Sequence, residues 1–570
     1  MSGPPVSDAP LTDVERIKAE SRHLRGTLTE SLDDPVTGAI AADDTQLSKF
    51  HGIYQQDDRD LRSDRKRARL EPAYSFMIRA RVPAGVCTPE QWLNMDRVAT
   101  RFANGSIRLT TRQAFQLHGV IKRDLKASIA GINAAMMDTI AACGDVNRNV
   151  MAPVLPGLSG VHRAVQADAE QLSDHLTPAT RAYHEIWLDG EKLDSPEPEP
   201  IYGDTYLPRK FKTAFVVPPQ NDVDIYAQDM GFIAIVEDGE LAGYNVTAGG
   251  GMGMAHGETA TYPRLADVLG FIPRDAVLPV AEAIVTTQRD YGDRTNRKHA
   301  RLKYTIEDRG LPWFREEVET RSGIAFAEPA AFSFVGNGDV YGWQRDDAGD
   351  WHYILFIENG RVADRGERQL LTGLRRIAEV HVGEFRLTPN QNLAISNVSE
   401  ADKPGIQALL DEYGIENSTQ ASALRLNAMA CVAMPTCGLA MAESERYLPD
   451  LVTRLEAELE AAGLGDEPIT IRMTGCPNGC ARPYIAEIGL VGKAPGRYNL
   501  YLGAGFAGDR LGAAVLDNAD EAAIVAELVP LFRRFASERE PGEHFGDYLV
   551  RAGIVREVRA GREFHAEAAA

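Results

Sequence analysis

The chain has 570 residues, with 61 Lys and Arg against 82 Asp and Glu, a formal net charge of −21, 44% hydrophobic residues and 6 Cys. Such acidity argues against nucleic acid or an anionic membrane as the main partner, because a phosphate-binding surface needs an excess of Lys and Arg. The apolar content suffices for roughly two to four domains, and the cysteines are too sparse for a disulfide scaffold.

The start, Met1-Ser-Gly-Pro-Pro-Val6, has neither a basic n-region nor an apolar h-region, and no stretch nears the roughly 18 apolar residues of a membrane span. The expectation is a cytoplasmic protein. Residues 1–73 are polar, with mixed charge concentrated over 57–60 and 62–69, and are expected to form a charged arm facing a partner. Phe76–Val82 alternates as a half-buried strand, Thr88 or Pro89 opens a helix through Trp92, and Ser106–His118 reads as another strand.

That last segment has a distant copy. Ile107-Arg-Leu-Thr-Thr-Arg-Gln113 matches Phe385-Arg-Leu-Thr-Pro-Asn-Gln391 in Arg, Leu, Thr and Gln at a constant offset of 278 residues. Each copy follows a helical stretch preceded by a strand, Phe76–Val82 in one and His352–Ile357 in the other. Two units so far apart are not a solenoid; they predict a duplicated module whose halves pair about a pseudo-two-fold axis, with a ligand between them. Pro389 and Asn390 stand where the first copy has Thr111 and Arg112, so the copies are not functionally equivalent.

Farther along, Pro196-Glu-Pro-Glu-Pro200 reads as a linker or exposed turn and Gly249-Gly-Gly-Met-Gly253 as a flexible loop. Leu448, Leu451, Val452, Leu455 and Leu459 share one helix face, with Pro449 in the first turn and Gly463 and Gly465 as the stop. Arg497–Leu502 reads as a strand, followed by helical segments through Phe535. Without a regular βα alternation, the pattern favours an α+β fold.

Cys431 and Cys437 (C-x5-C) and Cys476 and Cys480 (C-x3-C) flank the leucine-rich helix. Thiolates hold both zinc and iron-sulfur clusters, so these four residues leave the metal open, although the wider pair suits a cubane. Pro477-Asn-Gly479 turns the chain so that backbone N–H groups can point at a cluster sulfur. Cys87 and Cys143 are isolated and read as packed thiols. Against the acidic total, Arg209-Lys-Phe-Lys212, the run Arg289–Lys303 and the strand arginines Arg79, Arg81, Arg108, Arg112 and Arg148 concentrate positive charge. Arginines on one sheet face cannot all be buried without anions, so an anionic ligand is expected among them; the alternative is ordinary pairing with the abundant Asp and Glu. Gly503-Ala-Gly-Phe-Ala-Gly508 is formally a dinucleotide fingerprint after a strand, but no βαβ repeat surrounds it and Gly512 falls where the phosphate-binding helix should continue.

Phe50-His-Gly-Ile-Tyr-Gln-Gln-Asp-Asp-Arg-Asp60, Ile107–Gly119, Asn147-Arg-Asn149, Tyr206–Lys212, Thr474-Gly-Cys-Pro-Asn-Gly-Cys480, Val491–Asn499 and Phe545-Gly-Asp547 carry a resemblance that covers nearly the whole chain. It is to the siroheme-containing sulfite and nitrite reductase family, in particular the hemoprotein (beta) components of NADPH-dependent assimilatory sulfite reductases. The resemblance implies a [4Fe-4S] cluster on Cys431, Cys437, Cys476 and Cys480, with the Cys480 sulfur bridging to the siroheme iron. It further implies siroheme held by Arg108, Thr110, Arg112, His118, Arg297, Arg301, Lys303, Gln391 and Asn392. Arg79, Arg148, Lys210 and Lys212 correspond to the family's sulfite-binding, catalytic quartet. The implied fold is α+β, with duplicated ferredoxin-like and siroheme-binding modules about a pseudo-two-fold axis in three domains. These comprise 74–145 with 347–421 as ferredoxin-like halves, 146–346 as a siroheme and substrate domain, and 422–570 as a siroheme and cluster domain, preceded by the arm. The implied reaction is the six-electron reduction of sulfite to sulfide for sulfate assimilation and cysteine biosynthesis. The alternatives are a siroheme nitrite reductase and, from another class, a non-catalytic iron-sulfur or zinc protein. No credible flavin or NADPH motif is visible, so electrons are expected from the flavoprotein alpha component, or else from ferredoxin.

Overall fold

The computed structural model describes residues 10–154, 159–179, 187–188, 191–192, 199–415 and 420–566; positions 196–198 of the expected linker lie outside them. The repeat read at offset 278 is the organising element. One five-stranded sheet runs in the order Ile53–Asp57, Tyr74–Ala80, Phe115–Val120, Ile107–Leu109, Arg361–Val362. A second runs Gly342–Arg345, Trp351–Leu355, Leu393–Val398, Glu384–Leu387, Val86–Cys87. The order is the same, and in each sheet the last strand comes from the other copy. Arg361 lies opposite Arg108, and Val86 opposite Arg386. The two halves therefore exchange one strand each.

Local chemistry explains the pieces. Thr88 caps the helix Pro89–Phe102 by accepting from the Gln91 N–H, and Gln91 returns a bond to the Thr88 N–H. This helix packs on its counterpart Leu370–Val380 over the joined sheets. Trp92, fully buried, stacks on Phe385 at 5.0 Å and meets Phe115 edge-on at 5.6 Å, so one ring ties both copies into a common core. Residues 106–118 form a hairpin rather than the single expected strand. The Thr110 hydroxyl accepts from the N–H groups of Arg112 and Ala114, and Thr388 does the same for Asn390 and Asn392. That side-chain-to-backbone turn is why Thr recurs at this position.

The expected N-terminal arm is corrected. Ile53–Asp57 pairs with Tyr74–Ala80 in register Ile53 to Ile78, and Leu24, Leu47 and Phe50 are buried. Arg59 donates to the carbonyls of Cys437 and Ala440. The first sheet thus begins at Ile53 rather than at 74, and the second at Gly342 rather than at 347.

A second duplication, legible only in the structure, lies in the remaining two sheets. Thr213 pairs in parallel with Met230, and Ile471 with Ile488, so 213 to 471 and 230 to 488 share an offset of 258. Two antiparallel strands follow in each sheet. The intervening loops have equal length. Val217-Pro-Pro-Gln-Asn-Asp222 stands where the other copy has Gly475-Cys-Pro-Asn-Gly-Cys480, and both continue through a left-handed residue, Asp224 (φ 49°) or Arg482 (φ 54°). Because Gly231 lies opposite Thr247, and Gly489 opposite Tyr501, Gly249 and Gly503 are equivalent, with φ of 86° and 84°. The formal dinucleotide fingerprint is therefore the second copy of the Gly249–Gly253 loop. Contacts cross between the copies: the Met254 N–H donates to Pro477 O at 3.0 Å, and Asn221 Nδ2 to Ala507 O at 2.8 Å.

The exchanged strands depend on two equivalent glycines. A Cβ at Gly85 (φ 78°) would lie 2.6 Å from Leu387 O, and at Gly360 (φ 72°) 2.3 Å from Leu109 O. Gly85→Ala and Gly360→Ala are each expected to destabilise the fold by roughly 2–4 kcal/mol. Urea unfolding checks this, and a loss below about 0.5 kcal/mol in either would contradict it.

Candidate functional site

The four cysteines converge from two loops. Cys431 follows the strand Ala428–Ala430, Cys437 lies six residues on, and Cys476 and Cys480 sit in the loop after Ile471–Thr474. The Gly475 N–H points at Cys431 Sγ (3.3 Å) and the Asn478 amide at Cys476 Sγ (3.6 Å), donors suited to thiolate charge. Burial, then the neighbouring Cys480 and other thiols, push Cys431 and Cys437 up and Cys476 up to about 12. A thiol so placed ionises only when a metal takes the proton's place. Among the described residues no three His, Cys, Asp or Glu side chains close on a single-ion site. Cys480 is the exposed member of the four, and Thr111 Oγ1 donates to its carbonyl at 3.1 Å.

Beside Cys480 lies a group of half-buried cations. Phe211 points into the core, so Lys210 and Lys212 emerge together on the opposite side of the segment. Arg148 arrives from residues 147–151, which bridge Phe211 and Ala214, and Arg79 from the strand Tyr74–Ala80. Burial, then Arg209, Arg301 and Arg148, lower Lys210 to about 7, while the Cys480 sulfur works the other way. Burial, then Lys210, Arg112 and Arg301, hold Lys212 well below the usual lysine range. Arg112 falls to about 9 through burial and Arg148. So many mutually depressed cations mark a place built for an anion.

The other expected residues divide. Arg112 spans Gln228 Oε1 (2.9 Å) and Thr213 O (3.2 Å), leaving Nε without a partner. Both ring nitrogens of buried His118 are unpartnered, as are Arg79 Nε and Gln391 Oε1. Arg108 reaches Glu445 (2.9 Å) and Ala430 O (2.8 Å), and Thr110 caps its turn. Arg297 forks onto Asp145 (2.8 and 3.0 Å), Arg301 onto Asp229, and Lys303 bonds the carbonyls of Gly251 and Gly253. Asn392 is engaged with other segments: it accepts from the Ile357 N–H and donates to Asp339 and the Tyr341 hydroxyl. Elsewhere in the basic run, Arg289 pairs with Asp290, Arg294 with Glu15 and Lys298 with Glu258. Arg81 is held by the hydroxyls of Ser173 and Thr177.

Four residues escaped sequence reasoning. Lys49 joins the cations, lowered to about 8 by burial and then Arg297. Arg79 donates to Cys143 Sγ at 2.9 Å, so that thiol is not merely packing. Tyr54 meets Arg148 and is pushed up, chiefly by burial. Asn149 holds Val82 N–H and the carbonyls of Val82, Arg112 and Gln113, fixing the hairpin turn that carries Arg112. Lys49 and Tyr54 border or belong to the Phe50–Asp60 segment, and Asn149 to Asn147–Asn149; those two signals would have found them.

Comparison with known proteins follows this geometry. The family model described as the nitrite/sulfite reductase ferredoxin-like half domain matches residues 69–135 and 344–413, and that described as the nitrite and sulphite reductase 4Fe-4S domain matches 168–326. The sulfite reductase [NADPH] hemoprotein beta-component of Shouchella clausii is 57% identical over 98% of this chain and 99% of that protein. The chain belongs to the nitrite and sulphite reductase family. Another relative of the same name, from Myxococcus xanthus, is 60% identical over 96% of this chain and 97% of that protein. The solved structure of Mycobacterium tuberculosis NirA protein superposes with a TM-score of 0.76 at 26% identity, covering 95% of this chain and 96% of that one. The family's 4Fe-4S match at 168–326 contains no cysteine. It falls on the first copy of the offset-258 repeat, whose loop has Pro218 and Asp222 in place of Cys476 and Cys480. No helix among the described residues is long and apolar enough to cross a membrane.

Without an anion the cation group opposes folding. Between about pH 7 and the ordinary lysine value of 10.5, the unfolded chain binds a proton that folded Lys210 does not, so its contribution makes the cofactor-free chain more stable as pH rises through that window. Lys212→Met is expected to stabilise the cofactor-free chain by about 1–3 kcal/mol. Phosphate or sulfite is expected to raise the melting temperature of the unsubstituted chain more than chloride at equal ionic strength. Calorimetry with no difference between these anions would contradict an anion site.

Proposed function

We propose that this chain is the hemoprotein subunit of an NADPH-dependent assimilatory sulfite reductase, which reduces sulfite to sulfide with six electrons. The observation that carries the reading is the meeting of a half-buried cation quartet, Arg79, Arg148, Lys210 and Lys212, with Cys480 of a four-thiol group. When bound, siroheme with a [4Fe-4S] cluster would supply electrons singly to the substrate. Cys431, Cys437, Cys476 and Cys480 would hold the cluster, Cys480 being the thiolate that cluster and siroheme would share. Arg108, Thr110, Arg112, His118, Arg297, Arg301, Lys303 and Gln391, with Asn392 behind them, would hold the siroheme. The unpartnered nitrogens of His118 and Arg112 fit an anionic, carboxylate-rimmed ligand.

The chain's own groups then divide the work on sulfite. Arg79 and Arg148, always charged, clamp the anion and fix its orientation. Lys210 and Lys212 carry protons at Nζ. Their depressed cofactor-free affinities rise once carboxylates and sulfite are present, so each lysine is charged when substrate binds and can release a proton as oxygen leaves as water.

Electrons would come from a separate component, the NADPH-oxidising flavoprotein alpha subunit, with ferredoxin the alternative donor. Support comes from the name of the relatives, NADPH sulfite reductase hemoprotein beta-components, and from the repeat, which accounts for the formal dinucleotide fingerprint structurally.

The holoprotein is expected to show Soret and red absorption bands, with iron and acid-labile sulfide counts fitting one siroheme and one cubane cluster. A spectrum without them would remove the enzyme reading, and nitrite turnover without sulfite turnover would favour the nitrite branch. Lys212→Met is expected to leave the visible spectrum nearly unchanged and lower sulfite turnover roughly 100-fold or more, the scale of a lost proton donor. An unaltered rate would take Lys212 out of the reaction.

A further inference from the structure

The offset of 258 places Asp224 and Arg482 at equivalent positions of the two copies, each left-handed and each directly before a three-residue helical turn, Ile225–Ala227 or Pro483–Ile485. These equivalent residues touch. Arg482 Nε donates to Asp224 Oδ2, and both side chains are almost fully buried, at 4% and 0% exposure. The contact between equivalents marks the pseudo-two-fold axis of this repeat.

The guanidinium has two further bonds. Nη1 donates to Thr111 O and Nη2 to Pro389 O, both at 3.0 Å. Thr111 and Pro389 are themselves equivalents, at the offset of 278, in the turns of the two ferredoxin-like hairpins. One side chain therefore joins both pairs of repeats. Its fork fits the two converging carbonyls and the carboxylate at once, which a lysine ammonium on a flexible stem does not reproduce.

Cys480 is two residues before Arg482. Its carbonyl accepts from Thr111 Oγ1 at 3.1 Å, and the Arg482 N–H closes the loop onto Gly479 O at 3.0 Å. Thr111 is thus gripped on both sides: its carbonyl by Arg482, its hydroxyl by the Cys480 backbone. On the far side, Asp224 is fixed by Arg472 Nη1 at 2.7 Å and Asn337 Nδ2 at 3.2 Å.

We infer that Arg482, locked by Asp224, is a positioning residue that sets where the Cys480 sulfur stands relative to the hairpin carrying Arg112. The inference rests on the reading of Cys480 as the thiolate shared by cluster and siroheme. Opposite charges at one equivalent position fix its direction. Two arginines there, or two aspartates, would repel, so only the copy with Arg can tie its cysteine loop to both hairpins.

Arg482→Lys keeps the charge and removes the fork. In the holoprotein it is expected to retain iron and sulfide but to shift the Soret band and the paramagnetic resonance signal of the reduced cluster. With an artificial electron donor, kcat should fall roughly tenfold while KM for sulfite stays within about twofold, the pattern of a lost positioning contact rather than lost binding. Should Arg482→Lys fail to fold, Thr111→Val decides, since it removes only the hydroxyl bond to Cys480 and should move both spectra in the same direction by less. Spectra and kcat unchanged in a folded, loaded variant would overturn the inference. An unsubstituted chain lacking heme absorbance would instead overturn the reading of the site.

Discussion

A group of half-buried cations that depress one another is unstable unless its surroundings hold it in place. Lys210 and Lys212 are both depressed by burial and by their neighbours, and Arg112 and Lys49 share the penalty. Cavities of this kind persist only on a stiff frame. Two sheets that each borrow a strand from the other, clamped through Trp92 and Phe385, provide it. Arg79 projects from a strand of the first sheet and Arg112 from its hairpin turn, while Arg148, Lys210 and Lys212 come from the neighbouring segments that Asn147 and Phe211 bridge.

Duplication supplies the frame, and its asymmetry supplies the function. In the second hairpin Thr388, Asn390 and Asn392 all donate to Asp339. In the first, Arg112 replaces Asn390 and turns toward the cation group. Asp222 occupies the place of Cys480 and is held well above the carboxylate range by burial and then Asp339. One copy carries the carboxyl group of Asp222 at this place, close to Asp339; the other carries Cys480. A scaffold with two equivalent positions thereby carries one reaction.

Much of this was legible beforehand. The matched Arg, Leu, Thr and Gln at offset 278 announced the first repeat because each has a local job: Thr builds the turn, Gln takes its left-handed position, Leu enters the core. The second repeat was silent, since its copies share a backbone path and little sequence. Pro219 with Pro477, Tyr226 with Tyr484 and Gly231 with Gly489 are too few to see without strand register. Polarity misled at the N-terminus, where Asp57 and its neighbours lie on an edge strand whose side chains are half-solvated; mixed charge there reflects an exposed sheet edge, not a free chain. Single-residue roles such as that of Cys143 depend on contacts between segments far apart in sequence and leave no local trace.

The exchanged strands also bear on ancestry and assembly. Two separate copies trading an edge strand would be a domain-swapped homodimer, whose folding depends on how often two molecules meet. Joined end to end, the same swap becomes intramolecular, and each strand meets its acceptor at an effective concentration set by the connecting chain. Dilution no longer undoes the interface. Selection could then alter one copy without altering the other, which no symmetric dimer of identical chains permits, and a cleft on one side was free to lose its ligand.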